Sequence, residues 1–189
     1  MDDEPTASQP PDRGHAGLLA APVVELAGVV AVLGGFPVLA GVDLTVRSGE
    51  IVLLRGPNGA GKTSLLRLCA GLLAVARGSG QVFGLDLATQ RELIRPQVGL
   101  LGHRNGLYPD LSVAENVAFW GATVGATADE IDAAMLRLGV GDRLRDVRIA
   151  KLSAGQKRRT ALACLVARRA TLWLLDEPHA GLDAEGRDE

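Results

Sequence analysis

The sequence has no excess of positive charge. Its 20 lysine and arginine residues stand against 22 acidic residues, which gives a formal net charge of −2. Proteins that bind nucleic acid through its phosphates need a strongly basic surface, so this balance argues against nucleic acid as a partner. Lysine itself is scarce, since it occurs only as Lys62, Lys151 and Lys157. The retention of one lysine at a motif position, described below, therefore favours a functional role over accident.

Cysteines and long apolar segments are also few. Cys69 and Cys164 lie among apolar neighbours in segments that we predict to be helical, which is typical of buried thiols in a reducing cytosol. The longest uncharged run, Leu26–Val42, contains four glycines and a proline and is too interrupted for a membrane helix. The N-terminus is acidic and polar, unlike a signal peptide. If the protein works at a membrane, a partner must supply the membrane-spanning segments.

The chain does have enough apolar sequence for one domain. It has 189 residues, of which 47% are hydrophobic. Residues 1–21 are predicted to be a disordered leader, because the segment up to Gly17 is rich in proline and polar residues and cannot repay the entropy of ordering. Residues 22–189 are predicted to be a single domain.

The apolar periodicities alternate between strand and helix. Strands are predicted at Val23–Leu33, Val38–Val46, Glu50–Arg55, Gln81–Gly84, Gln97–Gly102 and Thr171–Leu175, the third of them buried. A helix is predicted at Ser64–Leu73, and two more begin at the capping boxes Ser112–Glu115 and Thr127–Glu130, the second of which stops at Gly139. A further helix runs from residues 152–156 through Arg168.

The stretch from Gly56 to Thr63 carries the strongest motif. It fits the phosphate loop G-x-x-x-x-G-K-[ST] at every fixed position, between an apolar strand and a helix. Its glycines let the backbone take positive φ and approach an anion, while the following helix N-terminus points its N–H groups at phosphate. The alternative is a glycine turn before an ordinary helix. The predicted binding residues are Gly56, Pro57, Asn58, Gly59, Ala60, Gly61, Lys62, Thr63 and Ser64.

Within this loop, Lys62 would reach the β- and γ-phosphates and Thr63 would hold Mg²⁺ through its hydroxyl. A matching carboxylate pair, Asp176-Glu177, ends the last apolar strand. The carboxyl end of such a strand lies beside the phosphate loop in nucleotide-binding sheets. Asp176 is therefore expected to help place Mg²⁺, and Glu177 to accept a proton from the attacking water. The alternative is a solvated strand end.

The segment Leu152-Ser-Ala-Gly-Gln156 makes the interpretation more specific. With it, the chain resembles the ATP-binding cassette (ABC) family, whose signature is L-S-G-G-Q with alanine tolerated at the third position. The resemblance implies that Ser153, Gly155 and Gln156 bind the γ-phosphate of an ATP held by a second copy of the subunit. A hydroxyl, a glycine and a helix N-terminus suit that role, although an N-capped helix alone would also explain them.

The resemblance extends over residues 23–183. It implies an α/β P-loop NTPase fold with a RecA-like core, an N-terminal antiparallel β subdomain and an α-helical signature subdomain. It also implies that the segment ending at Asp183 is a D-loop, which crosses the dimer interface. The family usually has an adenine-stacking aromatic where this chain has Leu33-Gly34, and Phe36 is the candidate to replace it.

Three passages resemble one branch of that family, the ATP-binding subunits of the cytochrome c maturation haem exporter (the CcmA family). They are residues 101–109, 152–159 and 170–178. Most cassettes have glutamine where this chain has His103, and the Leu-Gly-His form is similar to that branch. His103 would bond either the Mg²⁺-bound water or a coupling helix of the permease, unless it is simply a polar loop residue. Trp173 is predicted to pack in the core.

The resemblance implies an ATPase that uses ATP and Mg²⁺, dimerises around ATP, and drives a separate permease for haem or a haem-related substrate. It would lie peripherally on the cytoplasmic face of the cell membrane. The alternatives are another ABC exporter (for drugs, lipids or polysaccharide), a soluble non-transport cassette, and an inactive fragment. The inactive fragment is an alternative because the family continues after Asp183. The resemblance implies a further strand there, which inserts between the phosphate-loop strand and the Asp-Glu strand, and then a switch histidine. We therefore expect the C-terminal part to be missing and the 189-residue chain to be an incompetent ATPase.

Overall fold

A computed structural model describes residues 21–178. Its first part is an antiparallel sheet of four strands, in the order β2-β1-β3-β4. The strands are β1 (Pro22–Leu33), β2 (Phe36–Arg47), β3 (Arg77–Val82) and β4 (Leu85–Asp86). Gly34 and Gly35 form the two-residue turn between β1 and β2, with φ of 59° and 84°, as a tight hairpin of this twist requires. The predicted strand pair is confirmed.

Two helices and a 3₁₀ turn precede the second sheet in the chain. Helix α1 (Lys62–Cys69) follows the glycine-rich loop, and α2 (Arg91–Ile94) continues into a short 3₁₀ turn at Arg95–Gln97. The second sheet is a parallel pair, β5 (Val98–Leu101) and β6 (Leu172–Leu175). The antiparallel sheet, α1 and buried residues of this pair share one apolar core, which contains Val29, Leu68, Val98 and Leu174.

The remaining helices form a second packing unit. They are α3 (Val113–Ala122), α4 (Ala128–Arg137) and α5 (Ala154–Ala167), and a 3₁₀ turn at Ile149–Lys151 precedes α5. The predicted capping boxes are present at the starts of α3 and α4. Gly139, with φ of 61°, follows α4 as predicted. Val117, Met135 and Ala163, one from each helix, meet in a core separate from that of α1.

Both cysteines are buried free thiols in helices, as predicted. Cys69 packs in the first core and Cys164 in the second. Burial raises the pKa of each thiol to about 12, so both remain protonated and unreactive at neutral pH. Among the helices of residues 21–178, none is long and apolar enough to cross a membrane.

Two predictions about the centre of the molecule are wrong. Residues 50–55 are not a buried strand, because in the described part of the chain no strand pairs with them; Ile51 is 99% and Leu53 71% exposed. Trp173 is not a core residue either, since it is 40% exposed and its indole N–H donates to the Ala170 carbonyl. Both segments line one groove. The groove, of about 740 Å³, separates residues 51–54 from β6, and α1 contributes Leu65 and Leu66 to its lining.

The termini lie outside the described residues. The predicted leader covers residues 1–21, of which only Ala21 is described. The predicted D-loop with Asp183 also falls outside them.

Candidate nucleotide-binding site

The glycine-rich loop has the backbone conformation expected of a phosphate cradle. Gly56, Gly59 and Gly61 all have positive φ, at 153°, 83° and 89°. Two features exclude a side chain at Gly61. Its positive φ disfavours other residues, and an added Cβ would lie only 2.7 Å from the Val38 carbonyl oxygen. The Lys62 Nζ folds back over the loop and donates to the carbonyls of Gly56 (2.8 Å) and Pro57 (2.9 Å). The positively charged ammonium group of Lys62 is thus held beside the loop.

Helix α1 presents its N-terminus to the same loop. Gly61 is its N-cap and has no side chain that could cap the first turn. The first intrahelical bond from the loop side is the one from Leu65 N–H to the Gly61 carbonyl. Within residues 21–178, the backbone N–H groups of Lys62, Thr63 and Ser64 therefore have no hydrogen-bond partner. Such groups carry the positive end of the helix dipole and suit an anionic oxygen.

The two motifs that are most distant in the sequence meet at this point. The Thr63 hydroxyl donates to the Asp176 carboxylate at 2.8 Å, across 113 residues. The fold makes this contact because β5 and β6 run parallel, and Asp176 follows β6 directly with its N–H bonded to the Leu101 carbonyl. A hydroxyl and a carboxylate oxygen are ligands that Mg²⁺ accepts together with phosphate oxygens. These two side chains therefore fit the predicted metal position.

Glu177 comes next and has an unusual backbone. Its φ is 49°, one of three positive values among non-glycine residues of the described chain. A left-handed conformation costs an L-residue about 1–2 kcal/mol, and it persists where the surroundings hold it. The side chain is exposed, next to the mouth of the groove. It is thus free to contact a ligand or water.

His103 lies on the same edge of the parallel sheet. It is exposed in the loop that follows β5, one residue after Gly102. Parallel strands bring their carboxyl ends to one edge, so the loop of His103 and the Asp176-Glu177 segment are neighbours. In the described part of the chain, the His103 side chain makes no hydrogen bond.

The signature segment begins helix α5, as predicted. Ser153 is the N-cap: its hydroxyl accepts from Gln156 N–H (3.2 Å), and its own N–H donates to the Gln156 side chain (2.9 Å). A hydroxyl that accepts one bond can still donate its proton. Within residues 21–178 the N–H groups of Ala154 and Gly155 have no partner, which leaves two donors at the helix N-terminus.

The structure does not bring the signature to the phosphate loop of the same chain. Across residues 21–178 no hydrogen bond joins residues 152–156 to residues 56–64. Helix α5 packs mainly in the core of the helical unit, whereas α1 packs in the core of the antiparallel sheet. Phe36 is also apart from both cores, since it is 75% exposed at the end of the β1–β2 hairpin.

The sequence interpretation missed Arg158. This side chain is only 3% exposed, although it stands in a run of basic residues that is typical of a solvated helix face. Its guanidinium connects α5 to the loops after β5 and β6. The one available signal was its spacing: Ala161, Cys164 and Leu165 follow Arg158 on one buried helix face at intervals of three and four.

Comparison with known proteins agrees with the resemblance to the ABC family. The profile of the family described as ABC transporter matches residues 39–180. The cytochrome c biogenesis ATP-binding export protein CcmA of Rhodopseudomonas palustris is 48% identical over 160 residues, which cover 85% of this chain and 78% of the relative. The protein of the same name from Bradyrhizobium diazoefficiens is 45% identical over 168 residues, covering 87% and 82%.

Two solved structures share the fold. A bacterial Atm1-family ABC exporter with ATP bound has a TM-score of 0.79 and 26% identity, with 90% of this chain and 32% of the exporter covered. The ATP-binding cassette MJ0796, a dimer in a post-hydrolysis state with ADP and Pi, has a TM-score of 0.79 and 24% identity, with 87% and 78% covered. The chain thus spans about a third of the exporter and most of the separate cassette.

Proposed function

Because this chain belongs to the ABC transporter family, we propose that it is the ATP-hydrolysing subunit of an exporter that serves cytochrome c biogenesis. The observation that carries the proposal is the bond between Thr63 and Asp176, which joins a complete phosphate loop to a carboxylate pair. The names of the CcmA relatives supply the process. Haem or a haem-related compound is the proposed cargo, and a separate membrane permease the proposed partner.

ATP would bind along the loop and the start of α1. The nine residues proposed for its phosphates are 56–64. Lys62 already faces the loop, and it would exchange two backbone carbonyls for phosphate oxygens, which are charged and bind an ammonium group more strongly. Phe36, at the hairpin tip, is the proposed contact for the base.

Hydrolysis requires a metal, a base and a second copy of the subunit. Thr63 and Asp176 would hold Mg²⁺, which neutralises charge on the β- and γ-phosphates. Glu177 would orient the attacking water and accept its proton, with His103 as a neighbour on the same edge. Because no hydrogen bond joins residues 152–156 to the phosphate loop within residues 21–178, we propose that Ser153, Gly155 and Gln156, with Asp183 of the D-loop that the family resemblance implies, complete the site of a second copy. The domain would span residues 22–189 and lie peripherally at the cytoplasmic face of the membrane.

The proposal predicts how one lysine affects nucleotide binding. Lys62→Ala should remove most MgATP affinity in an equilibrium titration, whereas Lys151→Ala, a lysine outside the loop, should leave it unchanged. Unchanged affinity in the Lys62 variant would show that the loop is not the nucleotide site.

A complementation experiment tests the process. A bacterium that lacks its own cytochrome c biogenesis ATP-binding export protein is given this chain, and in parallel this chain joined to the C-terminal part of the Rhodopseudomonas palustris relative. Covalent haem in c-type cytochromes is then measured by haem staining of gels. Recovery that depends on Lys62 supports the proposal. ATPase activity without recovery in either form would instead indicate an exporter of another cargo.

A further inference from the structure

Arg158 donates hydrogen bonds to the two loops that follow β5 and β6, at the edge of the parallel sheet where Asp176 and Glu177 lie. Its Nε donates to the Pro178 carbonyl (3.3 Å), and one terminal nitrogen donates to the Gly102 carbonyl (2.8 Å) and to Asn105 Oδ1 (3.0 Å). The other terminal nitrogen donates to the carbonyls of Asp176 (2.7 Å) and Glu177 (2.8 Å). A guanidinium has five N–H donors, and here five acceptors meet it.

Three of those acceptors are consecutive backbone carbonyls. The peptide groups after Asp176, Glu177 and Pro178 all turn toward one guanidinium, which fixes the backbone on both sides of Glu177. Glu177 needs such support because its φ is 49°, a conformation that a glutamate keeps only where its surroundings impose it. Its side-chain direction depends on that backbone. The contact therefore sets where the carboxylate points.

The arginine itself belongs to the helix that the signature opens. Ser153 caps α5, and Arg158 lies within the second turn of the same helix. Burial lowers the pKa of the Arg158 guanidinium, and the carboxylates of Asp176 and Glu177 oppose that change. A buried charge is retained only where its hydrogen bonds are satisfied. Helix α5 and the loops after β5 and β6 are thus joined through one guanidinium that makes five hydrogen bonds.

We propose that Arg158 is a positioning residue for ATP hydrolysis, which holds the backbone of residues 176–178 so that Glu177 is aimed at the attacking water, and does so from the signature helix. The inference rests on the proposed function, because Glu177 must be the base. It assigns Arg158 no contact with ATP. Its loss should therefore act on turnover and leave nucleotide binding intact.

The main test is Arg158→Lys, which keeps the charge but offers three donors from one point in place of a planar fork of five. We expect kcat for ATP to fall about 100-fold, as misplacement of a catalytic group does, with Kd for MgATP and KM unchanged. Arg137→Lys is the matched control, because Arg137 is exposed at the end of α4. It should hydrolyse ATP at the wild-type rate.

A double-mutant cycle separates positioning from simple structural support. If Arg158 acts through Glu177, Arg158→Lys should cause no further loss of residual rate in a Glu177→Gln background. A full additional loss there, or a parallel loss of MgATP affinity, would overturn the proposal. Asn105→Leu removes one acceptor of the guanidinium and should reproduce the kcat effect more weakly, which keeps the test valid if Arg158→Lys fails to fold.

Activity measurements distinguish an error in the proposed function from an error in the role of Arg158. If the unsubstituted protein, with its permease, does not hydrolyse ATP at all, the proposed function is wrong and the role of Arg158 falls with it. If the protein hydrolyses ATP but Arg158→Lys does so at the wild-type rate, the function stands and only the positioning role is wrong.

Discussion

At the scale of single residues, the positive φ of Glu177 is the feature with most consequence. It places a carboxylate immediately after the Asp176 that bonds Thr63, yet leaves it exposed. Two adjacent carboxylates thereby have different surroundings, because Asp176 is bonded by the Thr63 hydroxyl and Glu177 is open to water, which suits the different roles proposed for them.

Glu177→Gln tests this division. The amide keeps the size and hydrogen bonding of the side chain but lacks a basic oxygen, so MgATP binding should persist while turnover falls by about 10²–10⁴-fold. The measurements are an equilibrium titration and a phosphate-release assay, and the variant should also accumulate as an ATP-bound dimer. Full activity would move the base elsewhere, with His103 the next candidate.

At the scale of elements, capping boxes decide where the helices of the second unit begin. The start of α4 is the clearest case. Glu130 accepts from Thr127 N–H at 2.7 Å and pairs with Arg169 at 2.8 Å, which ties α4 to the residues after α5. The Thr127 backbone bond, helped by the charge of Arg169, lowers the pKa of Glu130.

This arrangement predicts a pH dependence for Glu130→Gln. A glutamate whose pKa is lowered on folding stabilises the folded state above its unfolded pKa, and the contribution is lost as pH falls through the folded value. The substitution should therefore lower the thermal unfolding midpoint at pH 7 and make less difference below about pH 4.3. Asp129→Asn is the control, because Asp129 makes no hydrogen bond in residues 21–178. An equal effect of Glu130→Gln at both pH values would contradict the charged cap.

How much the sequence could predict differs between elements. The phosphate loop, the β1–β2 hairpin and the capping boxes depend on local rules, and the structure has them where those rules indicate. The strand predicted at residues 50–55 is wrong because a strand needs a hydrogen-bonded neighbour, and an apolar run in the sequence does not show whether that neighbour is present. Arg158 was missed for a similar reason: its acceptors lie 18 to 56 residues away and are mostly backbone carbonyls, which carry no sequence signal.

At the scale of the whole molecule, the separation of signature and phosphate loop predicts cooperation between copies. In a dimer with shared sites, Ser153→Arg and Lys62→Ala should each abolish hydrolysis, the first without loss of ATP binding. A heterodimer of the two variants would regain one intact site. An equal mixture should thus recover about a quarter of the wild-type rate, since about half of the dimers of a two-fold assembly are mixed. Full activity in the Ser153→Arg homodimer would contradict a shared site.

The groove between residues 51–54 and β6 leads to another prediction at this scale. If it is open in solution, Leu53→Ser should lower the binding of a hydrophobic dye and barely change the midpoint of urea unfolding, because Leu53 is already 71% exposed. If another strand closes the sheet, the same substitution should cost about 2–5 kcal/mol, as for a buried leucine. Chemical unfolding and dye fluorescence together distinguish the two states.

The close approach of Gly61 to the Val38 carbonyl has a consequence for which ligands the site accepts. Val38 lies two residues after Phe36, about 7 Å along β2, so the proposed base contact and the phosphate loop are attached to one stiff stretch of backbone. In the proposed site, the spacing of these two contacts would favour ligands of one length, and inorganic triphosphate, which engages only the phosphate loop, should bind far more weakly than ATP.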